Sequence, residues 1–278
     1  MKKTLLLITT LLLTAVTFAQ KKEKIKGSRI VTVEIKPVAT FETLEVSDNL
    51  EIYLIKGSSS NVEIDADDNL HSIITINTKG KALYLTASKT VSSSKKFTLR
   101  VTYTADLKQI ILHDQVKVNT LTDLDLETIT FKNYDDTKLF VTSRARNFSL
   151  FLDDNSRAEI NLKGEKSTLT LSKNSELKAL IVSNDVLLDM YQKSDAKVEG
   201  DCINLKLRLD NSTRCAAKDL VSKSAEITTE LAAKASINAK TAVKIFASGT
   251  SEIELYGEPQ VTVTKFADSA ILKKIQKK

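Results

Sequence analysis

Three consecutive blocks of equal length decide the fold, namely LFLDDNSRAEINLKGEKST (150–168), LTLSKNSELKALIVSNDVL (169–187) and LDMYQKSDAKVEGDCINLK (188–206). Each block begins with a leucine, carries a second apolar residue two positions later and places a serine at its seventh position. A fixed period of this length is typical of proteins in which similar structural units stack on one another. The repeat is the strongest structural signal in the chain.

The same period continues on both sides of these blocks. A column of hydroxyl residues recurs at the interval of the repeat over four unbroken steps, and a column of leucines accompanies it at a second position. Agreement between separate columns over this distance is hard to obtain by chance. The hydroxyl column is Thr137, Ser156, Ser175, Ser194 and Thr213, and the leucine column is Leu150, Leu169, Leu188 and Leu207.

Apolar and polar residues alternate within each block, as Ala158, Ile160 and Leu162 do between polar neighbours. A period of two is that of a β-strand with one face in the core. One unit cannot bury that face alone, so strands of successive units must stack about 4.8 Å apart. We therefore predict an all-β protein, a parallel β-helix (β-solenoid) with coils of about 19 residues. The longer alternating strands of the first hundred residues predict a wider N-terminal end.

The hydroxyl column falls where each block has its turn residues, beside Asn155 and Asn174. Side-chain oxygens of Ser, Thr and Asn commonly form hydrogen bonds with the backbone of turns. We therefore interpret this column as a structural turn ladder rather than as a ligand site.

Residues 1–19 have the pattern of a secretory signal peptide. Two lysines follow the initial methionine, an apolar run spans 5–13, and small residues precede a cleavage site before Gln20. An N-terminal membrane anchor is the alternative, although the apolar run is short for a membrane span. We predict an exported protein in the periplasm, on the outer cell surface or outside the cell. We expect no transmembrane segment in the mature chain.

Composition narrows the classes of partner and cofactor. The formal net charge of +6 on 278 residues is mild and is not concentrated into a basic stripe, so we expect no nucleic-acid partner. Two histidines and two cysteines are too few for a His/Cys-rich metal site, and we expect no cofactor. Export permits a disulfide between Cys202 and Cys215. These two cysteines lie closer in sequence than one full repeat and so share no column, which favours two buried thiols.

The N-terminal strands contain four short segments with a shared pattern, FETLEV (41–46), LEIYLIKG (50–57), NVEI (61–64) and GKALYL (80–85), followed by repeats of the Asp-x-Ser type. These segments resemble the strands of the bacterial head GIN domain family. The resemblance covers roughly residues 38–275. It implies a right-handed parallel β-helix and an exported protein, because the members of this family are proposed autotransporter adhesins. It supplies no catalytic residues. We predict a signal peptide (1–19), an N-terminal extension (20–37) and a single β-helix domain (38–275).

A small group of aromatic and basic residues marks a possible binding surface. Tyr134, Phe140 and Phe151 cluster in the first regular blocks, and the alternation turns Phe140 and Phe151 outward. Arg144 and Arg146 are close in sequence. Exposed aromatic residues are suited to contact a sugar or a partner protein, and packing against a turn is the alternative.

Two classes of function fit this architecture. The first is a non-catalytic, adhesin-like module that recognises a glycan or a protein; self-association is also open. The alternative is a polysaccharide lyase or hydrolase, with Asp135 and Asp154 as its candidate carboxyl pair. They share a column one coil apart, near the roughly 5–9.5 Å that glycoside hydrolysis needs. The column continues as Lys173, Gln192 and Asn211, which favours an ordinary polar turn, and we expect no catalytic residues.

Overall fold

The computed structural model describes residues 22–276. The predicted signal peptide lies outside the described residues and stays a prediction. A 3₁₀ helix, Asp68–Ile73, accompanies the strands of these residues. The strands are β1 (Lys24–Lys26), β2 (Val31–Pro37), β3 (Thr43–Val46), β4 (Glu51–Lys56), β5 (Asn61–Asp67), β6 (Ile74–Lys79), β7 (Ala82–Ala87), β8 (Thr90–Ser93), β9 (Phe97–Tyr103), β10 (Gln109–Leu112), β11 (Lys117–Thr120), β12 (Leu124–Asn133), β13 (Lys138–Leu152), β14 (Arg157–Leu171), β15 (Glu176–Met190), β16 (Asp195–Leu209), β17 (Arg214–Thr229), β18 (Lys234–Ala247), β19 (Glu252–Tyr256), β20 (Gln260–Phe266) and β21 (Ile271–Lys274).

The regular part of the chain is a parallel stack of long strands of equal length, β13, β14, β15 and β16. Each pairs in parallel with the next at the offset of the sequence repeat, so that Leu150 lies opposite Leu169 and Leu169 opposite Leu188. The leucine column follows this register from strand to strand, and its members are at most 2% exposed. The predicted parallel β-solenoid and its buried leucine column are therefore confirmed.

Each coil has two faces, separated by a bend within the long strand and closed by a tight turn. The inward alternation slips by one residue at the bend, as at Arg146 and Asn147, which are both exposed. Gly200 lies near such a bend with a φ of 116°, and a Cβ there would come within 2.1 Å of the Ile181 carbonyl oxygen. The N-terminal halves of β13 to β18, with β11 and β19, form what we call the first face. The C-terminal halves, with β12 and β20, form the second face.

The N-terminal part departs from a purely parallel stack. β5 runs antiparallel to both β2 and β9, and β6 and β7 form an antiparallel hairpin. A two-residue loop at Gly80 and Lys81 imposes the hairpin, since Gly80 supplies a left-handed φ of 60°. Residues 24–37 of the predicted extension form β1, which pairs with β8, and β2, which pairs with β5. Alternation alone does not reveal strand direction, so the sequence did not predict these pairings.

The buried apolar side chains form one continuous cluster that runs through the coils from Phe41 to Leu255. Both cysteines belong to it, and both are free thiols, as their spacing in the sequence predicted. Burial raises the pKa of Cys202 and of Cys215 to about 12. Neither is therefore a reactive thiolate at neutral pH.

Candidate functional site

The tight turns of successive coils share one uncommon backbone feature. The second residue of each turn has a positive φ, close to 60° in most coils, and this conformation costs an L-amino acid about 1–2 kcal/mol. Aspartate and asparagine adopt it more readily than most residues. We call these residues the turn column, and they are Asp48, Asp114, Asp135, Asp154, Lys173, Gln192, Asn211, Leu231, Gly249 and Asp268.

Aspartates of the turn column bind the backbone of the preceding coil. Asp114 Oδ2 accepts the N–H of Asp48 at 2.8 Å, and Asp135 Oδ2 accepts that of Asp114 at 2.8 Å. Asp154 Oδ2 continues the series with the N–H of Asp135 at 3.4 Å, while its Oδ1 accepts a hydrogen bond from Lys173 Nζ at 2.7 Å. The candidate carboxyl pair, Asp135 and Asp154, is thus engaged in contacts that hold the turns.

Lys173 joins two carboxylates of the preceding turn. Its Nζ lies 2.7 Å from Asp154 and 2.9 Å from Asp153, and these hydrogen bonds raise the pKa of Lys173 to about 12. Burial by itself would raise the pKa of Asp153, but hydrogen bonds from the Ser172 hydroxyl and from Lys173 outweigh it and lower that pKa. Asp153 is therefore ionised at neutral pH and has no proton to donate as a general acid.

The hydroxyl column lies inside the coils rather than on their surface, because its members are at most 1% exposed. Ser194 Oγ donates a hydrogen bond to the backbone oxygen of Tyr191 at 3.0 Å, which is the contact expected of a turn ladder. The hydroxyls without a hydrogen-bond partner among the described residues are those of Thr137, Ser156, Ser175 and Thr213. Burial keeps the whole column away from a ligand at the surface.

The aromatic residues of the predicted binding surface lie on two different faces. Tyr134 and Phe151 lie together where the second face meets the turn, with ring centroids 5.8 Å apart. His113, which the sequence did not single out for binding, stacks on Tyr134 with centroids 5.2 Å apart and an interplanar angle of 8°. Phe140 lies on the first face, where it pairs with Glu159 of the next coil. The turn separates Phe140 from the other two aromatic residues.

The two arginines of that predicted surface lie at the bend, away from the aromatic residues. Arg144 Nε is 2.8 Å from Asp123 Oδ2. Arg146 Nε is 2.8 Å from Glu165 Oε2, and its Nη1 is 3.3 Å from Glu127 Oε1. Both side chains are thus paired with acidic residues of the adjacent coils. The five predicted residues occupy three separate places.

A shallow groove crosses the first face at Phe140. It has a volume of about 500 Å³ and runs over five neighbouring strands, β11 and β13 to β16. A second concavity of about 490 Å³ adjoins it and shares Phe140, Glu159, Lys178 and Lys197 with it. We call the first of these the first-face groove. Its lining includes Asn119, Phe140, Glu159, Asn161, Lys178 and Leu180.

Charges in and beside the first-face groove cancel in pairs. Lys178 Nζ lies 3.1 Å from Glu159 Oε1, and Lys197 Nζ lies 2.6 Å from Glu199 Oε1. Lys117 Nζ lies 5.7 Å from the centroid of the Phe140 ring, within reach of a cation–π contact. The groove therefore presents an aromatic ring and amide groups among charges that are already neutralised.

Sequence reasoning found only Phe140 among the residues of this groove. The period of the repeat places Glu159 and Lys178 in the same outward column as Phe140. The repeat alone could therefore have predicted that these two residues lie beside Phe140. That period would place Leu121 next to Phe140 on the preceding coil, but the strand partner of Phe140 there is Asn119. The preceding coil is therefore longer than the repeat, which hid Asn119 from the pattern.

Other surfaces offer less to a ligand. Among residues 22–276, no three His, Cys, Asp or Glu side chains group closely enough to hold a metal ion. No helix in that range is long and apolar enough to cross a membrane. A concavity of about 530 Å³ lies on the second face over β14 to β18 and β20, and no aromatic ring lines it. The first-face groove is the strongest candidate for a ligand-binding site.

Solved structures share this fold. A putative adhesin from Parabacteroides merdae matches with a TM-score of 0.65 at 12% identity, over 91% of this chain and 100% of that chain. A putative adhesin from Parabacteroides distasonis gives 0.62 at 16% identity, over 91% and 100% of the two chains. A protein of that species named putative lipid binding protein gives 0.60 at 11% identity, over 91% and 99%. At these identities the similarity shows the fold alone. No curated protein sequence matches the chain.

The family comparison extends over most of the chain. The family described as "Putative auto-transporter adhesin, head GIN domain" matches residues 40–259. This match confirms the resemblance seen in the strands between residues 41 and 85, and it includes the coils that carry the first-face groove. The chain belongs to the head GIN domain family of putative autotransporter adhesins.

Proposed function

We propose that this chain is an exported, adhesin-like binding module without catalytic activity, and that its first-face groove binds a glycan chain. One observation carries the proposal. The groove is open, spans several coils, and combines the Phe140 ring with the amides of Asn119 and Asn161. Ligand sites typically pair such an apolar surface with a few polar groups that fix orientation.

The chemistry of the groove favours a neutral ligand rich in hydroxyl groups. An aromatic ring offers a flat apolar surface, and an amide both donates and accepts hydrogen bonds. The charges of Lys178 and Glu159 neutralise each other at 3.1 Å, so the groove does not select a strongly charged ligand. Coils about 4.8 Å apart repeat similar positions along the groove, which suits a polymer with repeating units. A protein ligand is the other outcome of the test.

A polysaccharide-active enzyme remains the second candidate, and the structure supplies a better carboxyl pair for it than the turns do. Glu176 and Asp195 pair across neighbouring strands beside the groove. Burial raises the pKa of Asp195, partly countered by Arg214 and aided by Glu176. Both side chains are nevertheless exposed, and Arg157 Nε lies 3.4 Å from Glu176 Oε2. A water-exposed pair of this kind lacks the dry cleft that usually keeps a general acid protonated.

The binding proposal is tested with an array of purified glycans. We expect the parent chain to bind a defined set and Phe140→Ala to lose at least about tenfold in affinity, as for one aromatic contact. Phe151→Ala is the matched control, since it removes a half-buried phenylalanine from the second face, and we expect it to bind as the parent does. Glycan binding that survives Phe140→Ala, or an array on which no glycan is bound, would contradict the proposal. Capture of a defined protein that depends on Phe140 would identify a protein ligand instead.

The absence of catalysis is tested on the same preparation with a panel of neutral and acidic polysaccharides. We expect no cleavage by the parent. Reproducible cleavage that is lost in both Glu176→Gln and Asp195→Asn, with thermal unfolding unchanged, would establish the enzyme instead.

Export is tested by cell fractionation and N-terminal sequencing. We expect the exported protein to begin at Gln20, because the small residues before it suit signal peptidase. An exported chain that retains the apolar run 5–13 would show an anchor in place of a cleaved signal peptide.

A further inference from the structure

The last coil of the solenoid leaves apolar residues of its inward side exposed at the C-terminal end. β20 pairs with β18 so that Val261 follows Val243 and Val263 follows Ile245 in the inward columns. Val243 and Ile245 are at most 1% exposed, whereas Val261 and Val263 are 43% and 49% exposed. Phe266 ends a third inward column in the same way. Within residues 22–276, no strand covers the outer edge of β20.

At the N-terminal end the core is covered. Two copies therefore cannot continue one core by stacking the N-terminal end of one on the C-terminal end of the other. Leu70 and Ile73 of the 3₁₀ helix are buried there and cover the core. The inward side of the edge strand β2 is polar: Thr32 Oγ1 lies 2.9 Å from His71 Nε2, and Glu34 Oε2 lies 3.4 Å from His71 Nδ1. The exposed apolar residues of β2, Val31, Val33 and Ile35, lie on its other side, opposite Asp67, Asp65 and Glu63 of β5. The inward side of this end therefore offers no apolar surface to match the exposed valines of β20.

The lysines of the last coil do not block its edge. Lysine on an edge strand normally discourages pairing with another chain. Here Lys273 pairs with Glu252, and Lys274 Nζ lies 2.7 Å from Glu258 Oε1. Lys265 Nζ lies 4.8 Å from the centroid of the Phe246 ring. All three amino groups are thus directed back to their own chain, so the outer edge of β20 is accessible.

The sequence of this edge is complementary to itself. When two Val261-Thr262-Val263 segments run antiparallel with their threonines opposite, each Val261 faces the Val263 of the other copy. The valines then lie on one side, as the strand period requires. A contact of this kind is isologous and closes after two copies. A second copy also continues the coil-on-coil packing that buries every other part of the core.

We infer that two copies of this chain associate through their C-terminal ends, with β20 of one against β20 of the other, so that each closes the open core of its partner. The arrangement leaves the first-face grooves outside the contact and directs the two solenoids away from each other. It does not depend on what the grooves bind.

The inference is tested by analytical ultracentrifugation of the purified exported chain up to about 100 μM, where even a weak specific dimer is populated. We expect a dimer for the parent and a halved mass for Val263→Glu, which places charges in the contact. Val33→Glu is the matched control, because Val33 is 58% exposed at the N-terminal end, and we expect it to remain dimeric. Circular dichroism melts establish that both variants are folded.

Two results would overturn the inference. One is a parent that stays monomeric over the whole concentration range. The other is a dimer that persists in Val263→Glu and dissociates in Val33→Glu. Cosedimentation with vesicles of anionic phospholipid identifies the main competing occupant: a monomeric parent that binds vesicles through Val263 would show that the open end contacts lipid and not a second copy.

Discussion

The turn column is built differently in the two halves of the solenoid. Asp114, Asp135 and Asp154 each accept the N–H of the preceding residue of the turn column. From Lys173 to Leu231 other residue types hold the same left-handed position, and the carboxylate contact returns at Asp268, whose Oδ2 accepts the N–H of Gly249 at 2.9 Å. The turn conformation persists where the aspartate contact is missing. The stacked strands therefore impose the turn, and the aspartates relieve part of its cost.

The two ends of the core differ as well. Near the closed N-terminal end, Asp67 Oδ2 accepts the N–H of Arg29 at 2.9 Å and that of Lys95 at 3.1 Å. Its Oδ1 accepts the N–H of Lys96 at 3.0 Å. The C-terminal end has no comparable cover among the described residues, and Val263 is left half exposed. Because each coil is stabilised by its neighbours, we expect stability to concentrate at the closed end.

The largest test of this difference compares Leu70→Ala with Val263→Ala. Leu70 is fully buried under the closed end, and its truncation should cost about 2–5 kcal/mol of unfolding free energy. Val263 is half exposed, so its truncation should cost about 1 kcal/mol or less. Denaturant unfolding at low protein concentration measures both. Equal losses of unfolding free energy would show that the core is covered equally at the two ends. A loss for Val263→Ala that grows with protein concentration would indicate that Val263 contacts a second copy of the chain.

A smaller effect is expected from Asp67→Asn, which leaves the shape but removes the charge. Burial raises the pKa of Asp67, but the three backbone N–H donors outweigh it and hold that pKa below the ordinary value. A lowered pKa means that the ionised carboxylate stabilises the fold above the unfolded pKa of about 3.9, and that this contribution is lost as pH falls through the folded value. We expect Asp67→Asn to melt below the parent at pH 7.

The pH dependence separates this charge effect from a packing effect. The difference in melting temperature between parent and Asp67→Asn should narrow as pH falls below about 4, because the parent carboxylate is then also protonated. Asp136→Asn, at an exposed turn residue, should match the parent at every pH. A difference that is constant from pH 7 to pH 3 would mean that charge at Asp67 contributes nothing.

The sequence predicted the repeating part of the fold well and the N-terminal part less well, for a physical reason. The leucine column repeats a fixed offset, and a fixed offset leaves one register in which every apolar side chain is buried. The strands before residue 104 repeat no offset. Their alternation shows which face is buried but not whether β5 or β6 runs parallel or antiparallel to its neighbours. Only the hairpin loop at Gly80 carried that information.

The candidate site was harder to predict than the fold. Alternation turned both Phe140 and Phe151 outward, but it did not reveal that the turn places them on different faces. Proximity in sequence placed Arg144 and Arg146 in the possible binding surface, whereas in the structure the neighbouring coils supply acidic partners for both. A groove depends on which side chains are short across several coils, and that is visible only after the register is fixed.

The smallest effect is expected in the part of the turn column that has no aspartate. Gln192 has a φ of 65° and follows Lys173 in the turn column. Gln192→Asp should place a carboxylate beside the N–H of Lys173, as Asp154 does for Asp135. Asp also adopts the left-handed conformation more readily than Gln. One added hydrogen bond of this kind is worth about 1 kcal/mol, so we expect the unfolding free energy to rise by about that amount.

Comparison with Gln192→Gly addresses the two contributions to this gain, the easier left-handed φ and the added hydrogen bond. Glycine removes the cost of the left-handed φ, about 1–2 kcal/mol, but loses about 0.5–1 kcal/mol through the greater freedom of the unfolded chain. It supplies no acceptor for the N–H of Lys173. If Gln192→Asp exceeds Gln192→Gly in denaturant midpoint at equal slope, the carboxylate contact itself stabilises the coil, as it does between Asp114 and Asp154. If Gln192→Asp is no more stable than the parent, a carboxylate contact to the preceding coil adds nothing to the stack at this turn.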